Sequence, residues 1–192
     1  MKKIIGMIIA LTMVISLSAC TGNPQENTAG NAADEVVDVS DVSEDSANIG
    51  TISKMPEFKT IDLDQNIVDD SIFAQADITV VNVWGTFCPP CIAELPELAE
   101  WSEELPDNVQ IIGLLADVRT PEAPEYETAL ELVEQNHVTY TNILVTSQFD
   151  EMFRQLVGVP TTFFVDSQGN ILREAIIGAD VEGYKKAVEE LL

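Results

Sequence analysis

The sequence predicts an α/β fold, and three observations carry this prediction. The run Ile78–Trp84 is short, almost entirely apolar and typical of a strand that is buried on both faces of a mixed or parallel sheet. A second such run, Val109–Leu115, follows after a segment in which apolar residues have helical spacing. The chain has 192 residues, of which 46% are hydrophobic, and this suffices for one packed domain with appendages.

The first residues of the chain have the composition of a targeting segment. Two lysines precede an apolar run over residues 4–17, and small residues then lead to Cys20. This arrangement resembles a bacterial lipobox, in which the cysteine is lipidated and becomes the first residue of the mature protein. The resemblance implies that residues 1–19 are a signal peptide and that Cys20 anchors an extracytoplasmic protein to the cell membrane. The alternative is an uncleaved transmembrane anchor, for which the apolar run is slightly short.

A polar and acidic stretch follows, and we interpret residues 20–51 as a disordered tether. Residues 21–50 contain no lysine, arginine or aromatic residue, so they cannot bury enough surface to offset the entropy of ordering. Self-repelling charge favours an extended chain that gives the domain reach from a membrane. Four valines between positions 36 and 42 alternate loosely with acids, which leaves a transient strand as the alternative. The folded domain is therefore predicted to span residues 52–192.

The charge of the chain limits its partners. The formal net charge is −24 at pH 7, which argues against nucleic acid as a partner. It also argues against direct adsorption to anionic lipid, so membrane contact would depend on the lipid anchor. An acidic, well-solvated surface accounts for this charge without a dedicated binding role.

The elements on the N-terminal side of the central strand begin with a predicted β-hairpin. Residues 58–63 alternate loosely between apolar and polar, residues 64–66 are turn-like, and apolar character resumes at Ile67. A short turn of helix is expected near residues 71–76. The central strand follows it directly.

After the central strand, helices and strands alternate to the end of the chain. A helix is predicted over residues 90–105, with a kink at Pro96, because apolar residues keep helical spacing and glutamates occupy the opposite face. Beyond Val109–Leu115, an apolar stripe that starts at Tyr126 predicts another helix. The remaining predicted elements are a strand over 142–145, a helix over 150–157 with Asp150 as its N-cap, and a hairpin of 162–166 with 171–177. A final helix near Val181 has an apolar stripe that includes Tyr184.

Two cysteines stand where the central strand meets the next helix. Two prolines separate Cys88 from Cys91, and proline is favoured in the first helical turn because the N–H that it lacks would be unpaired there. Unpaired backbone N–H groups and the helix dipole favour an anion at this end, so the sequence predicts a stabilised Cys88 thiolate. Cys91, one turn further on, is placed to resolve a mixed disulfide formed by Cys88. These two sulfurs complete an exchange cycle without any cofactor.

The residues around the cysteines carry a specific family resemblance. The run W-G-T-F-C-P-P-C, followed later by G-V-P-T-T-F, resembles the thioredoxin superfamily, and more narrowly the TlpA/ResA group of membrane-tethered extracytoplasmic thioredoxins. The similarity extends over roughly residues 52–192. It implies a thioredoxin-like three-layer fold, with a mixed central sheet flanked by helices and an extra N-terminal β-hairpin. It also implies that Cys88 and Cys91 form a redox-active disulfide.

The resemblance assigns roles to residues outside the cysteine pair. Pro160 is expected to be cis and to face the cysteines, so that the backbone of Val159 can pair with an extended substrate segment. Thioredoxin has a buried aspartate where this chain has Asn82, and Glu94 resembles instead the acidic residue that follows the cysteines in ResA-like proteins. We therefore hypothesise that Glu94 is partly buried, has a raised pKa and exchanges the proton of Cys91. The alternative is one more exposed glutamate on an acid-rich helix.

Residues next to the motif indicate a surface for the substrate. Trp84 and Phe87 flank the cysteines, and an apolar rim there would favour binding of extended segments around a target disulfide. We expect Trp84 to be partly core and partly rim. Pro89, between the cysteines, removes an N–H that would otherwise stabilise the thiolate. His137 is the only histidine and is expected on the surface, in the loop after a helix.

The resemblance implies a thiol-disulfide oxidoreductase outside the cytoplasm. We expect a monomer that reduces disulfides in exported proteins or in apocytochrome c, supplied with electrons by a membrane thiol-disulfide carrier of the DsbD/CcdA type. A thiol oxidase, which forms disulfides in exported proteins, is the alternative, and the redox potential would distinguish the two.

Three other classes of protein are less consistent with the sequence. A zinc site usually takes four ligands, and this chain offers one pair of closely spaced cysteines and one histidine, so no metal is expected. A binding lipoprotein with a purely structural disulfide stays open, and it predicts no reduction of insulin. A peroxidase would need a cysteine preceded by proline and threonine at longer spacing, and no such cysteine occurs.

Overall fold

The computed structural model describes residues 52–192. The predicted signal peptide over residues 1–19, the lipidation of Cys20 and the tether over residues 20–51 lie outside the described residues. The strands are β1 (Lys59–Ile61), β2 (Ile67–Asp69), β3 (Ile78–Trp84), β4 (Val109–Leu115), β5 (Asn142–Leu144), β6 (Thr161–Asp166) and β7 (Ile176–Ile177). The α-helices are α1 (Pro89–Glu104), α2 (Pro124–Gln135), α3 (Asp150–Arg154) and α4 (Val181–Leu191), and short 3-10 helices span Asp70–Gln75 and Ser147–Phe149.

A mixed sheet forms the middle layer, with its strands in the order β5-β4-β3-β6-β7. Strands β3, β4 and β5 run parallel, whereas β6 is antiparallel to β3 and β7 is antiparallel to β6. All seven residues of β3 are buried, which explains why this segment of the sequence is apolar almost throughout. The predicted mixed central sheet is confirmed.

Side chains alternate between the two faces of β3 and give the domain its layers. Val81 and Val83 pack on one face with residues of α3 and of the 3-10 helix Asp70–Gln75. Val80 and Trp84 point to the other face, which α1, α2 and α4 cover. Helices therefore lie on both sides of the sheet, and the predicted thioredoxin-like three-layer fold is confirmed.

The N-terminal hairpin covers one edge of the sheet. Strands β1 and β2 pair antiparallel, as predicted. Beyond β1, the N–H of Leu63 donates to the carbonyl of Asn142 at 2.9 Å, and the hydroxyl of Thr60 donates to the carbonyl of Leu144 at 2.9 Å. Because β5 is an edge strand, these bonds occupy backbone groups that would otherwise be open to pairing with another chain.

The prediction for the helix over residues 150–157 is wrong in two respects. The helix is shorter, and Asp150 is its first residue rather than its N-cap, a position that Phe149 takes without a side-chain hydrogen bond. The carboxylate of Asp150 instead forms an ion pair with Arg119 at 2.7 Å. A contact between residues 31 positions apart therefore engages the side chain that local sequence had assigned to capping.

The return strand predicted over residues 171–177 is also interrupted. Val165 bridges Ile171, and Thr162 pairs with Ile176, so four residues on the return side lie opposite two residues of β6. Arg173, inside this bulge, lies over the ring of Phe164 at 5.7 Å instead of continuing the ladder.

Across the described residues, no helix has the length and apolar character needed to cross a membrane.

Candidate active site

The two cysteines lie at the N-terminus of α1 and are joined by a disulfide, with 5.3 Å between their Cα atoms. The helix begins at Pro89, one residue earlier than predicted, and Cys88 is its N-cap. The backbone N–H of Cys91 donates to the Cys88 sulfur at 3.3 Å. Cys88 is 4% exposed and Cys91 is fully buried. The strand β3 and the helix that follows it therefore place one sulfur at the helix end, with the second sulfur beneath it.

A carboxylate that sequence reasoning missed anchors the loop before the cysteines. Asp117, just beyond the end of β4, accepts the backbone N–H of Thr86 at 3.0 Å and its hydroxyl at 2.6 Å. These bonds tie the loop between β3 and α1 to the neighbouring strand. The position of Cys88 thus depends on two adjacent strands of the sheet, not only on its own helix.

The loop before β6 faces the outer sulfur. The peptide bond between Val159 and Pro160 is cis, as predicted. The carbonyl oxygen of Val159 lies 3.5 Å from the Cys88 sulfur. A disulfide sulfur has no proton, so this contact becomes a hydrogen bond only when Cys88 is a reduced thiol.

A shallow, mostly apolar cleft of about 510 Å³ opens beside Cys88. Its walls include the predicted substrate residues Phe87, Pro89 and Val159. Phe153 and Leu156, which no motif indicates, also line the cleft. Phe87 is 67% exposed, and this exposure agrees with the predicted apolar rim.

The expected rim role of Trp84 is wrong, because this side chain is fully buried. Its indole N–H donates to Asn142 Oδ1 at 2.9 Å across the intervening strand β4. A Cβ at Gly113 would collide with that amide oxygen, so glycine permits the close approach. Trp84 therefore contributes packing and a buried hydrogen bond, and it does not reach the cleft.

Glu94 lies on the buried face of α1, away from solvent. It is 5% exposed, and its Oε1 accepts a hydrogen bond from Asn82 Nδ2 at 2.8 Å. Its Oε2 lies 3.1 Å from the hydroxyl of Tyr184 on α4. Asn82 Nδ2 also donates to Thr162 Oγ1 at 3.1 Å, which is possible because Asn82 and Thr162 are paired residues on β3 and β6. We call Asn82, Glu94, Thr162 and Tyr184 the buried polar cluster.

Burial raises the pKa of Glu94 to about 7, although the hydrogen bonds from Asn82 and Tyr184 oppose this rise and the charge of Glu97 adds to it. A raised pKa on a buried Glu94 is what the sequence hypothesis required. A carboxyl group that titrates near neutral pH can both accept and return a proton. Its proton exchange with Cys91 stays a prediction.

Several residues of the site gave no recognisable signal in the sequence. Tyr184 appears there only as one apolar position in the stripe of the last helix, and Asp117 as one acid in a loop. Both act through partners that are distant in the chain: Asp117 is 31 residues from Thr86, and Tyr184 is 90 residues from Glu94.

His137 lies on the surface after α2, as expected. Within residues 52–192, no group of three or more His, Cys, Asp or Glu side chains is arranged to hold a metal ion.

The fold and the cysteine pair define a thioredoxin-like protein, and similarity to known proteins agrees. The chain belongs to the AhpC/TSA family, whose model matches residues 52–173. A curated relative, the thiol:disulfide interchange protein DsbE of Allochromatium vinosum, is 27% identical over 145 residues, which cover 71% of this chain and 72% of the relative. The thiol-disulfide oxidoreductase ResA of Bacillus thuringiensis is 29% identical over 119 residues, covering 56% of this chain and 61% of the relative.

Solved structures agree at the level of the fold. The structure of Mycobacterium tuberculosis dsbF superposes with a TM-score of 0.59 at 20% identity, and the match covers 74% of this chain and all of that chain. The predicted resemblance to the thioredoxin superfamily, and to ResA-type proteins within it, is confirmed.

Proposed function

We propose that this chain is an extracytoplasmic thiol-disulfide oxidoreductase that reduces disulfides in exported proteins or in apocytochrome c. The observation that carries the proposal is the Cys88–Cys91 disulfide at the N-terminus of α1, with its outer sulfur beside an apolar cleft. The oxidoreductase class agrees with the names of the relatives, which are a thiol:disulfide interchange protein and a thiol-disulfide oxidoreductase.

The reduced protein would begin the cycle with Cys88 as a thiolate and Cys91 as a thiol. The thiolate attacks one sulfur of the target disulfide, so that a mixed disulfide forms and the first target thiolate leaves. Cys91 then loses its proton to Glu94 and attacks the Cys88 sulfur. This step restores the Cys88–Cys91 disulfide and releases the second target thiolate. Two electrons pass to the target, and solvent protonates its two thiolates.

The cleft supports recognition of an extended and largely apolar target segment. Phe87, Phe153 and Leu156 line the cleft and offer apolar contacts. The backbone of Val159 lies at the cleft beside Cys88, where a target strand can pair with it. Selectivity would then come from the residues that flank the target cysteine.

Trapping the intermediate tests the exchange mechanism. In Cys91→Ser the second step is blocked, so a target protein should stay attached to Cys88 and appear as a mixed disulfide in intact cells. Cys88→Ser is the matched control, because it keeps the buried sulfur and removes the attacking one. If Cys91→Ser traps no more protein than Cys88→Ser does, the mechanism is wrong.

The role of Glu94 is tested by the rate of the second step. Glu94→Gln keeps the size of the side chain but cannot accept a proton. We expect release of the target from the mixed disulfide to slow by roughly 10- to 100-fold, which is at the low end for loss of a general base. Unchanged release would remove Glu94 from the mechanism.

A redox titration against defined thiol buffers separates the two directions of electron flow. A potential near −270 mV, as in thioredoxin, supports a reductant supplied by a DsbD/CcdA-type membrane carrier. A potential near −120 mV supports the alternative, a thiol oxidase.

We further propose that residues 1–19 are removed, that Cys20 is lipidated, and that the domain works as a monomer on an extended tether over residues 20–51. Support comes from the lipobox-like sequence and from the acidic composition of the tether. Mass spectrometry of the mature N-terminus tests it, and Cys20→Ala should release the protein from the membrane fraction.

A further inference from the structure

The hydroxyl of Tyr184 has more potential acceptors than it has protons. It lies 3.1 Å from Glu94 Oε2 and 2.8 Å from the carbonyl oxygen of Gly178, and either oxygen can accept its single proton. Its oxygen accepts the backbone N–H of Asp180 at 3.2 Å and is also a hydrogen-bond acceptor for the Thr162 hydroxyl. Tyr184 is fully buried, so no solvent is available to relieve the competition. The hydroxyl must therefore donate to one acceptor at a time.

The protonation state of Glu94 decides between these acceptors. When Glu94 is ionised, a hydrogen bond to its charged oxygen is stronger than one to a neutral carbonyl, so the hydroxyl donates to Oε2. When Glu94 is neutral, its proton lies on Oε2, because Oε1 already accepts the Asn82 amide at 2.8 Å. The Tyr184 oxygen then accepts that proton in place of the Thr162 hydroxyl proton, and its own proton turns to Gly178.

The amide of Asn82 supports this assignment of the proton. Its Nδ2 group donates to Glu94 and also to Thr162 Oγ1. Turning the amide would place its two N–H donors where Asn82 Oδ1 now lies, a buried position with no hydrogen-bond partner among the described residues. Both states of the carboxyl group therefore keep their hydrogen bonds if the tyrosine hydroxyl alone rotates.

We propose that Tyr184 is a positioning residue that holds Glu94 in both of its protonation states by turning one hydroxyl proton between Glu94 and the Gly178 carbonyl. The inference rests on the proposed function, in which Glu94 takes the Cys91 proton. In that step the thiol becomes a thiolate and the carboxylate becomes a carboxylic acid. Tyr184 gains and loses no proton, so the acceptor is ready in place before the transfer and stays in place after it.

The other titratable groups near Glu94 among the described residues form no hydrogen bond with it. Tyr140 is buried near Glu94, but its hydroxyl has no hydrogen-bond partner among the described residues. Glu97 lies one turn further along α1, and its carboxylate pairs with Lys185 at 3.1 Å. Within residues 52–192, no lysine or arginine forms an ion pair with Glu94. The neighbouring sulfurs are bonded to each other and carry no charge in the oxidised protein. The charged form of Glu94 is therefore stabilised by hydrogen bonds.

The test is a titration of the Glu94 side-chain carboxyl by 13C NMR in the full, oxidised chain. Tyr184→Phe removes a hydroxyl that bonds Glu94 in both of its forms, and the bond lost by the charged form is the stronger of the two. We expect the titration midpoint to move upward by about one pH unit. Tyr140→Phe, which removes a buried hydroxyl without a partner, is the matched control and should leave the midpoint in place.

A second variant covers the case in which Tyr184→Phe does not fold. Incorporation of 3-fluorotyrosine at position 184 makes the phenol a stronger donor, so the Glu94 midpoint should move downward. A midpoint unmoved in a folded Tyr184→Phe, or unmoved by the fluorinated residue, overturns the proposal. So does an equal shift in Tyr140→Phe, because packing would then be the cause.

The kinetic readout connects the inference to exchange. In Tyr184→Phe, the pH at which release from the mixed disulfide reaches half its maximum rate should rise together with the NMR midpoint, while the KM for the target stays unchanged. The titration uses the oxidised protein and requires no turnover. An inactive protein whose midpoint responds to Tyr184 would therefore refute the proposed function and leave the inference intact. An active protein whose Glu94 midpoint does not change in Tyr184→Phe would support the proposed function and refute the inference.

Discussion

The two sulfurs of the disulfide face different surroundings. Cys88 adjoins an open cleft with apolar walls, and Phe87 on its rim is 67% exposed. Behind Cys91, which is fully buried, α1 carries Glu94 into the buried polar cluster. One turn of helix thus separates a surface suited to binding a protein segment from an interior suited to holding a proton.

The proposed recognition of targets and the proposed proton transfer would therefore use separate parts of the fold. The open side, which is the cleft beside Cys88, is formed by the loop before β6 and residues around α3. The closed side, which is the buried polar cluster behind Cys91, is formed by residues of α1, β3, β6 and α4. Changes on the open side should alter KM for the target with little effect on stability. Changes on the closed side should alter stability and pH dependence.

The largest effect is expected from the outer sulfur. Cys88→Ser leaves no nucleophile at the helix N-terminus, so reduction of insulin disulfides should fall to the uncatalysed rate. A purely structural disulfide predicts instead that the unaltered protein already reduces no insulin. The turbidity of insulin in the presence of dithiothreitol separates these results.

The next effect concerns the closed side, and it depends on pH. The pKa of Glu94 is about 7 in the folded protein against an ordinary value of 4.5, so the folded state binds more protons between these two values. The free energy of unfolding should therefore fall as the pH rises through this window and stay low above it. Glu94→Gln removes this loss and should be up to about 3 kcal/mol more stable than the unaltered chain at pH 8.5.

Urea unfolding of the oxidised protein measures this effect, with pH 4 as the reference. At pH 4 both folded and unfolded chains carry a neutral group at position 94, so the stabilisation should disappear. Glu100→Gln is the matched control on the exposed part of the same helix. A gain in stability that is equal at pH 4 and pH 8.5 would contradict a raised Glu94 pKa.

A smaller loss is expected for Trp84→Phe. The change removes the indole N–H and leaves Asn142 Oδ1 buried without its donor. We expect destabilisation of roughly 1–3 kcal/mol, with KM for the target unchanged, because the side chain does not reach the cleft. A large rise in KM without loss of stability would restore the rim role that the structure contradicts.

The smallest effect is expected at the rim. Phe87→Ala removes an exposed ring that would be partly buried by a target, so KM should rise by about fivefold, equivalent to about 1 kcal/mol. Thermal unfolding should be unchanged within error. Ile67→Ala, which removes a similarly exposed apolar side chain far along the chain from the motif, should leave KM unaltered.

The sequence was sufficient where local pattern and burial coincide. Strands β3 and β4 begin and end at the predicted residues, because runs buried on both faces are almost entirely apolar. The helix with the cysteines, the cis peptide at Pro160 and the burial of Glu94 were also predicted, the last two from the family resemblance.

The remaining features depend on contacts between distant residues. Asp150 looked like a helix cap, but its partner is Arg119. The position of Trp84 beside the cysteines predicted partial exposure. In the structure its indole is buried and bonds to Asn142, because Gly113 has no side chain in the way. The stripe of the last helix predicted that the ring of Tyr184 is buried, yet a pattern of apolar spacing carries no information about the partner of a hydroxyl.

The proposed exchange depends on an acidic Cys88 thiol at the start of α1. Absorbance of the thiolate at 240 nm, followed across pH in the reduced protein with Cys91→Ser as the single-thiol variant, measures this pKa directly. We predict a value below about 7.5, the upper end of the range for cysteines at helix N-termini. A value of about 8.5, that of an ordinary cysteine, would contradict the account.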